Sequence, residues 1–163
     1  MPENLTYFVR HGRYSPNTGS LNKDGNNDAA TAGQLLYGKG VKSNAVILSS
    51  TAPRATETAD IIQHTLEAPA VYKSELIEVT GLHPRSIRSM RRIIDLALRH
   101  EGITLDDRQL VIVTHEPVML AMSDRERVRN GEVIPCNIDA WVNEDFSRHA
   151  EETYLSGLLD DER

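Results

Sequence analysis

Leu5-Thr6-Tyr7-Phe8-Val9-Arg10-His11-Gly12 is the stretch on which the reading of this chain turns. Its first five residues are aliphatic, aromatic or β-branched and suit a pleated, buried surface. The run then breaks into a cation, an imidazole and a glycine. Two other runs have the same form. Ala45-Val46-Ile47-Leu48 ends at Ser49-Ser50, and Leu110-Val111-Ile112-Val113 ends at Thr114-His115. Short apolar runs with polar ends predict strands buried on both faces. A shorter strand is expected near Val71-Tyr72 and a last one from Ile138 to Val142.

Helical patterns lie between these strands. Ala30 to Tyr37 is closed by Gly38 and Gly40. Pro53 suits a first helical turn, and Ala55, Ala59, Ile62 and Leu66 then recur on one helical face. Ile87, Met90, Ile94, Ala97 and Leu98 mark a third helix, stopped by Gly102, and Pro117 to Arg129 reads as a fourth. The Gly- and Asn-rich stretch from Ser15 to Asp28 reads as a long loop, as does the stretch through Glu78 to Pro84. Strands alternating with helices predict an α/β fold, a three-layer α/β/α sandwich around a mostly parallel sheet.

Composition narrows the function classes. The 163 residues carry 18 Lys+Arg against 24 Asp+Glu, a net charge of −6. That length suits a single domain spanning 1–163, since domains commonly hold ~100–200 residues. The acidic balance argues against a nucleic-acid binder. Cys136 is the only cysteine, which excludes an internal disulfide or multi-cysteine metal cage; it reads as a half-buried small hydrophobe. No apolar run approaches the ~18 residues of a membrane span, and no signal-peptide pattern opens the chain. A soluble, cytoplasmic protein is expected. The tail from Glu144 to Arg163, with seven acidic residues and two arginines, reads as a solvated end. Oligomeric state is not legible.

The chemistry is expected at the strand ends. In open α/β sheets, ligands bind outside the carboxyl ends of the strands. Arg10, His11, Arg54 and His115 converge on one crevice if the three main strands are neighbours. Guanidinium forks match phosphoryl oxygens with paired, charge-assisted hydrogen bonds. A neutral imidazole nitrogen is a competent nucleophile, and Gly12 lets the backbone approach a phosphate closely.

In this order and context the motifs resemble those of the histidine phosphatase superfamily, the phosphoglycerate mutase-like enzymes. Tyr7-Phe8-Val9-Arg10-His11-Gly12 resembles its opening signature. Leu21-Asn22-Lys23-Asp24-Gly25 is similar to its Leu-Thr-x-x-Gly segment, with Asn22 for Thr. Leu48 to Ala59 is similar to its Ser-Ser-x-x-x-Arg-Ala-x-Gln-Thr-Ala stretch, with Glu57 for Gln. Val111 to His115 resembles the strand that delivers its second histidine.

The resemblance implies a phosphoglycerate mutase-like fold and a mechanism. His11 would become phosphohistidine, while Arg10, Arg54 and His115 hold the phosphoryl oxygens and stabilise charge in the transition state. Asn17 and Ser50 fall where phosphate contacts are expected, although Ser50 equally suits capping the next helix. The acid that protonates an alkoxide leaving group is assigned to Glu78, in a Leu-x-Glu segment. Glu75 is its neighbour and competitor, and relatives that act on phosphohistidine manage without an acid.

No metal or cofactor is expected, and no His-Glu-x-x-His spacing occurs. Arg13 stands where many relatives carry Glu, either adding positive potential at the mouth or pointing to solvent. Arg85, Arg88, Arg91 and Arg92 form a basic run, either a solvated helix face or a guide for anions. His64, His100 and His149 receive no catalytic role.

Only 61 positions separate Arg54 from His115, where mutases of the family insert water-excluding segments. Hydrolysis is therefore expected over transfer. The expected substrate is a small phosphate monoester or a phosphohistidine protein. The alternatives are a mutase-type phosphotransferase and a non-catalytic phospholigand-binding domain.

Overall fold

The structure, a computed structural model, describes residues 5–78, 87–121 and 126–137. Strand β1 (Leu5–Arg10) leads to helix α1 (Lys23–Gly38), then β2 (Val46–Ser49), α2 (Pro53–Leu66) and β3 (Val71–Lys73). A 3₁₀ turn at Glu75–Glu78 precedes α3 (Ile87–His100), β4 (Leu110–Thr114), α4 (Glu116–Ala121) and β5 (Val133–Asn137).

The five strands lie in the order β3-β2-β4-β1-β5. The first four are mutually parallel and β5 runs antiparallel along β1. Pro135 pairs opposite Tyr7 on the edge strand β5, where a missing N–H is tolerated.

The alternating direction of successive side chains divides the core in two. Tyr7, Val9, Ile47, Val111 and Val113 face Leu36 of α1 and Ala59 and Ile62 of α2. Phe8, Leu48 and Ile112 face Ile94 and Leu98 of α3 and Met119 of α4. Each fully buried Leu, Ile or Phe contributes roughly 1.5–3 kcal/mol relative to exposure, so both faces of the sheet must be covered. The result is the three-layer α/β/α sandwich with a mostly parallel sheet.

Several boundaries differ from the sequence expectation. α1 begins at Lys23 rather than Ala30, so only the first part of the Ser15–Asp28 stretch is loop. Asn22 starts the helix, its side-chain oxygen accepting the Gly25 N–H at 2.8 Å, and the weak helix formers that follow are carried by packing. Helix α4 covers Glu116–Ala121 and 126–129 are not helical, so the Pro117–Arg129 pattern is only partly a helix. The edge strand occupies Val133–Asn137. The strand expected at Ile138 to Val142, the acidic tail and His149 lie outside the described residues. Cys136 is half-buried against the core. No helix among the described residues is long and apolar enough to cross a membrane.

The strand order has a direct consequence for chemistry. β4 lies between β2 and β1, so the ends carrying Ser49-Ser50, Thr114-His115 and Arg10-His11 are adjacent. Register makes them level: Arg10 pairs with Thr114 and Ser49 with Val113. One residue further on, the His11 N–H donates to Thr114 O at 3.1 Å and the Ser50 N–H to Val113 O at 3.0 Å.

Candidate active site

His11 leaves β1 buried, at 4 % exposure. Its Nδ1 lies 2.8 Å from Gly12 O. A carbonyl only accepts, so Nδ1 carries the hydrogen and Nε2 keeps its lone pair. Burial is the largest cause pushing the His11 pKa down, to about 4. The Gly12 carbonyl opposes it, and His115, Arg54 and Arg10 add to the depression. The ring is therefore neutral at physiological pH, with Nε2 fixed as its basic nitrogen.

The turn beneath His11 depends on close backbone approach. The Gly12 N–H donates to Thr58 Oγ1 on α2 at 3.0 Å. A Cβ on Gly12 would sit 2.4 Å from Gly25 O, and one on Gly25 would sit 1.8 Å from Arg13 O. Glycine at both positions lets the strand end press onto the first turn of α1.

His115 follows β4 and is almost fully buried, its ring centre 5.1 Å from that of His11 in an edge-to-face arrangement. Its Nε2 lies 2.8 Å from Ser50 Oγ, which also accepts the Ala52 N–H at 3.3 Å. Ser50 is thus a partner of His115 at the mouth of α2. Pro53 opens that helix, and its N-cap, Ala52, makes no side-chain cap.

Arg54 follows Pro53 and projects toward the same place, its guanidinium carbon 4.6 Å from the centre of the Tyr14 ring. That stacking favours a cation over the ring face. Tyr14 also meets His11 edge to face at 5.5 Å.

Arg10 uses Nη1 to donate to Val128 O at 2.6 Å and to Glu116 Oε2 at 3.4 Å. The Nε atoms of Arg10 and Arg54 are both buried, with no hydrogen-bond partner among the described residues. Buried donors are nearly always satisfied, so a donor left over is suited to an incoming anion. Two such guanidinium donors beside an uncharged imidazole make an electropositive, partly desolvated pocket, suited to a tetrahedral oxyanion.

The remaining expected residues divide. Asn17 is exposed at the tip of a loop closed by Ser15 N–H to Ser20 O at 2.9 Å and by a bridge between Tyr14 and Leu21. Glu57 anchors that loop by accepting the Leu21 N–H at 3.2 Å, an acceptor role a glutamine oxygen fills equally.

Arg13 follows neither of its two expected readings. Although half-exposed, it forms a forked pair with Asp28, Nε to Oδ2 and Nη2 to Oδ1 at 3.0 Å each, and lies 3.9 Å from Asp24. Its charge is neutralised and it straps the turn to α1.

The backbone of Glu78 closes a turn pinned to the sheet ends. Thr114 Oγ1 donates to Ile77 O at 3.0 Å, and the Ser74 N–H donates to Ser49 O at 2.9 Å. The Glu78 side chain lies outside the described residues, and Glu75 is exposed. In the basic run, Arg85 and the side chains of Arg88 and Arg91 lie outside the described residues, while Arg92 is half-buried on α3. His100 is exposed. Among the described residues, no group of three or more His, Cys, Asp or Glu side chains is placed to hold a metal ion.

Sequence reasoning missed Tyr14, Thr58 and Glu116. Signals existed: an aromatic in the loop that leaves His11, and a carboxylate immediately after His115. What each touches was not encoded locally. Beside Arg10 and Glu116 opens a cavity of about 1160 Å³, lined also by Arg127, Val128 and Arg129.

The family model of the histidine phosphatase superfamily, branch 1, matches residues 6–89. The chain belongs to that superfamily. The matched stretch includes Arg10, His11, Arg54 and the Glu78 turn, while His115 comes from the chain beyond it.

Solved structures with the same fold include a mycobacterial glucosyl-3-phosphoglycerate phosphatase in complex with VO3. It is 16% identical, with a TM-score of 0.60, over 81% of this chain and 92% of that one. A phosphoserine phosphatase from Entamoeba histolytica is 16% identical, with a TM-score of 0.56, over 80% and 89%. A putative phosphohistidine phosphatase from Agrobacterium tumefaciens is 17% identical, with a TM-score of 0.57, over 83% and 92%. No curated protein matches the sequence. These solved structures share the fold across most of both chains.

Proposed function

We propose that this member of the histidine phosphatase superfamily is a phosphohydrolase acting through a phosphohistidine on His11. The observation that carries this is the neutral, tautomer-fixed imidazole of His11 beside two buried guanidinium Nε donors that have no partner among the described residues.

In the first step His11 Nε2 attacks phosphorus in line, and the bond from phosphorus to the leaving group breaks. Arg10, Arg54 and His115 hold the equatorial oxygens. The charge that develops on the ring is stabilised by Nδ1–H donating to Gly12 O. An alkoxide leaving group takes its proton from Glu78, whose turn is anchored beside His115 through Thr114; an imidazole leaving group carries its own. In the second step the oxygen of a water attacks phosphorus and the P–N bond breaks; the proton of that water passes to the Glu78 carboxylate where the leaving group has taken the Glu78 proton, and to a phosphoryl oxygen where it has not. Inorganic phosphate leaves and His11 is restored.

The substrate is a small phosphate monoester or a phosphohistidine. The relatives named above carry names of both kinds, and the VO3 bound by one of them is a phosphate-like oxyanion. Hydrolysis of para-nitrophenyl phosphate in EDTA, comparing wild type with His11→Ala, tests the proposal. Wild-type turnover that falls at least ~1000-fold in the variant is expected for loss of a nucleophile. Turnover retained in His11→Ala overturns it. Glu78→Gln separates the substrate classes: loss of alkyl phosphate hydrolysis with retained phosphohistidine hydrolysis is expected, and unchanged ester turnover removes Glu78 as the acid.

A further inference from the structure

Arg10 is held from outside the pocket by groups that the phosphatase mechanism does not use. Glu116, which follows His115, is one-third exposed. Its Oε2 accepts the Val128 N–H at 2.9 Å and lies 3.4 Å from Arg10 Nη1. Val128 in turn offers its carbonyl to the same Nη1 at 2.6 Å. Carboxylate, peptide and guanidinium thus close a triangle.

The chain after Val128 continues the grip. Asn130 Nδ2 donates to His11 O at 3.1 Å, the Gly131 N–H to Arg10 O at 2.9 Å, and the Arg10 N–H to Glu132 O at 3.1 Å. Gly131 has φ +76, and a Cβ there would sit 2.8 Å from Asp28 O, so the strap is wedged against α1.

The consequence lies on the other edge of the guanidinium. With Nη1 engaged twice, the Nε–Nη2 edge is the one left to face an oxyanion, and its Nε is buried with no partner among the described residues. That edge gives the side-on fork that grips two oxygens at once. A guanidinium free to rotate about its last bonds presents the fork only part of the time, whereas a fixed one loses less freedom on binding.

We propose that Glu116 is a positioning residue, which fixes Arg10 through Val128 so that the Nε–Nη2 edge is aimed at the phosphoryl oxygens before substrate arrives. This deepens the phosphatase reading and rests on Arg10 binding the phosphoryl group. Glu116 and Val128 lie beyond the stretch matched by the family model.

Both bonds end on one oxygen, so reach rather than charge is what the triangle needs. Glu116→Gln keeps an oxygen there. Glu116→Asp keeps the charge but withdraws it by ~1.5 Å, one carbon–carbon bond.

The experiment measures para-nitrophenyl phosphate kcat/KM and orthophosphate affinity by calorimetry for wild type, both variants, Arg10→Ala and Arg10→Ala with Glu116→Asp. The expected result is a roughly tenfold loss in kcat/KM and in affinity for Glu116→Asp, recovered to within about threefold by Glu116→Gln. In the Arg10→Ala background the Glu116→Asp loss should shrink below about twofold, since coupled residues are non-additive. A harmless Glu116→Asp, a Glu116→Gln as poor as Glu116→Asp, or a loss undiminished without Arg10 overturns the positioning role. Wild-type affinity and turnover in Arg10→Ala alone would overturn the underlying reading of the pocket, and the proposal with it.

Discussion

Replacing His11 with Asn tests the electrostatics of the site without any substrate. In the folded protein the His11 pKa is depressed from 6.5 to about 4, first by burial and then by the neighbouring cations. The unfolded chain binds this proton near pH 6.5 and the folded chain refuses it. Folding stability attributable to His11 is therefore undiminished above about pH 7, declines as the pH falls through 6.5, and levels off below about pH 4.

The depression, near 2.5 units at ~1.36 kcal/mol each, sets a ceiling of ~3.4 kcal/mol. At about pH 5 the unfolded ring is almost fully protonated and the folded ring roughly one-tenth so, which gives a penalty of ~2 kcal/mol. Asparagine does not titrate, so His11→Asn removes this slope while sharing every other titrating group.

Urea unfolding followed by far-UV circular dichroism at about pH 8 and about pH 5 measures it. Wild type should lose ~2 kcal/mol more than His11→Asn between the two conditions. Equal losses would mean that the folded imidazole titrates normally. That would refute a nucleophile held neutral by its surroundings.

Two further perturbations address the supports of the site. Ser50→Ala removes the partner of His115 Nε2. It should lower para-nitrophenyl phosphate kcat/KM about tenfold, with only ~1 kcal/mol lost in urea unfolding; unchanged turnover would make that hydrogen bond irrelevant to chemistry. Gly25→Ala drives a Cβ to 1.8 Å from the Arg13 carbonyl, backbone against backbone. It should cost at least ~3 kcal/mol in urea unfolding or prevent folding, whereas Gly38→Ala, with open space around it, should stabilise the same helix by up to ~1 kcal/mol.

The sheet was legible because a strand buried on both faces leaves little choice of residue. Tyr7 to Val9, Val46 to Leu48 and Leu110 to Val113 are apolar throughout, and helices must cover both sides of them. Where structure depends on a distant partner, the signal failed. The first turn of α1 reads as loop because Lys23 to Asp28 is poor in helix formers, and it is helical through the Asn22 cap and packing against the Arg13 carbonyl. The edge strand β5 contains Pro135, which weakens any strand pattern, and it forms because β1 supplies a partner.

For the site, the sequence by itself determined which reactive side chains were present. Arg10, His11, Arg54 and His115 are the residue types that oxyanion binding and nucleophilic attack require, and each belongs to a recognisable strand end or helix start. Tertiary structure alone decided how they are used. The order β2-β4-β1 set three strand ends level and side by side. It gave Ser50 to His115, paired Arg13 with Asp28 instead of the pocket, and left Asn17 at a loop tip. It also brought Glu116 and Val128 to the guanidinium of Arg10, contacts that join residues more than 100 positions apart. Residue type is a local property that a sequence states outright, whereas the partner of a side chain depends on how sheet and helices pack, which the local pattern does not specify.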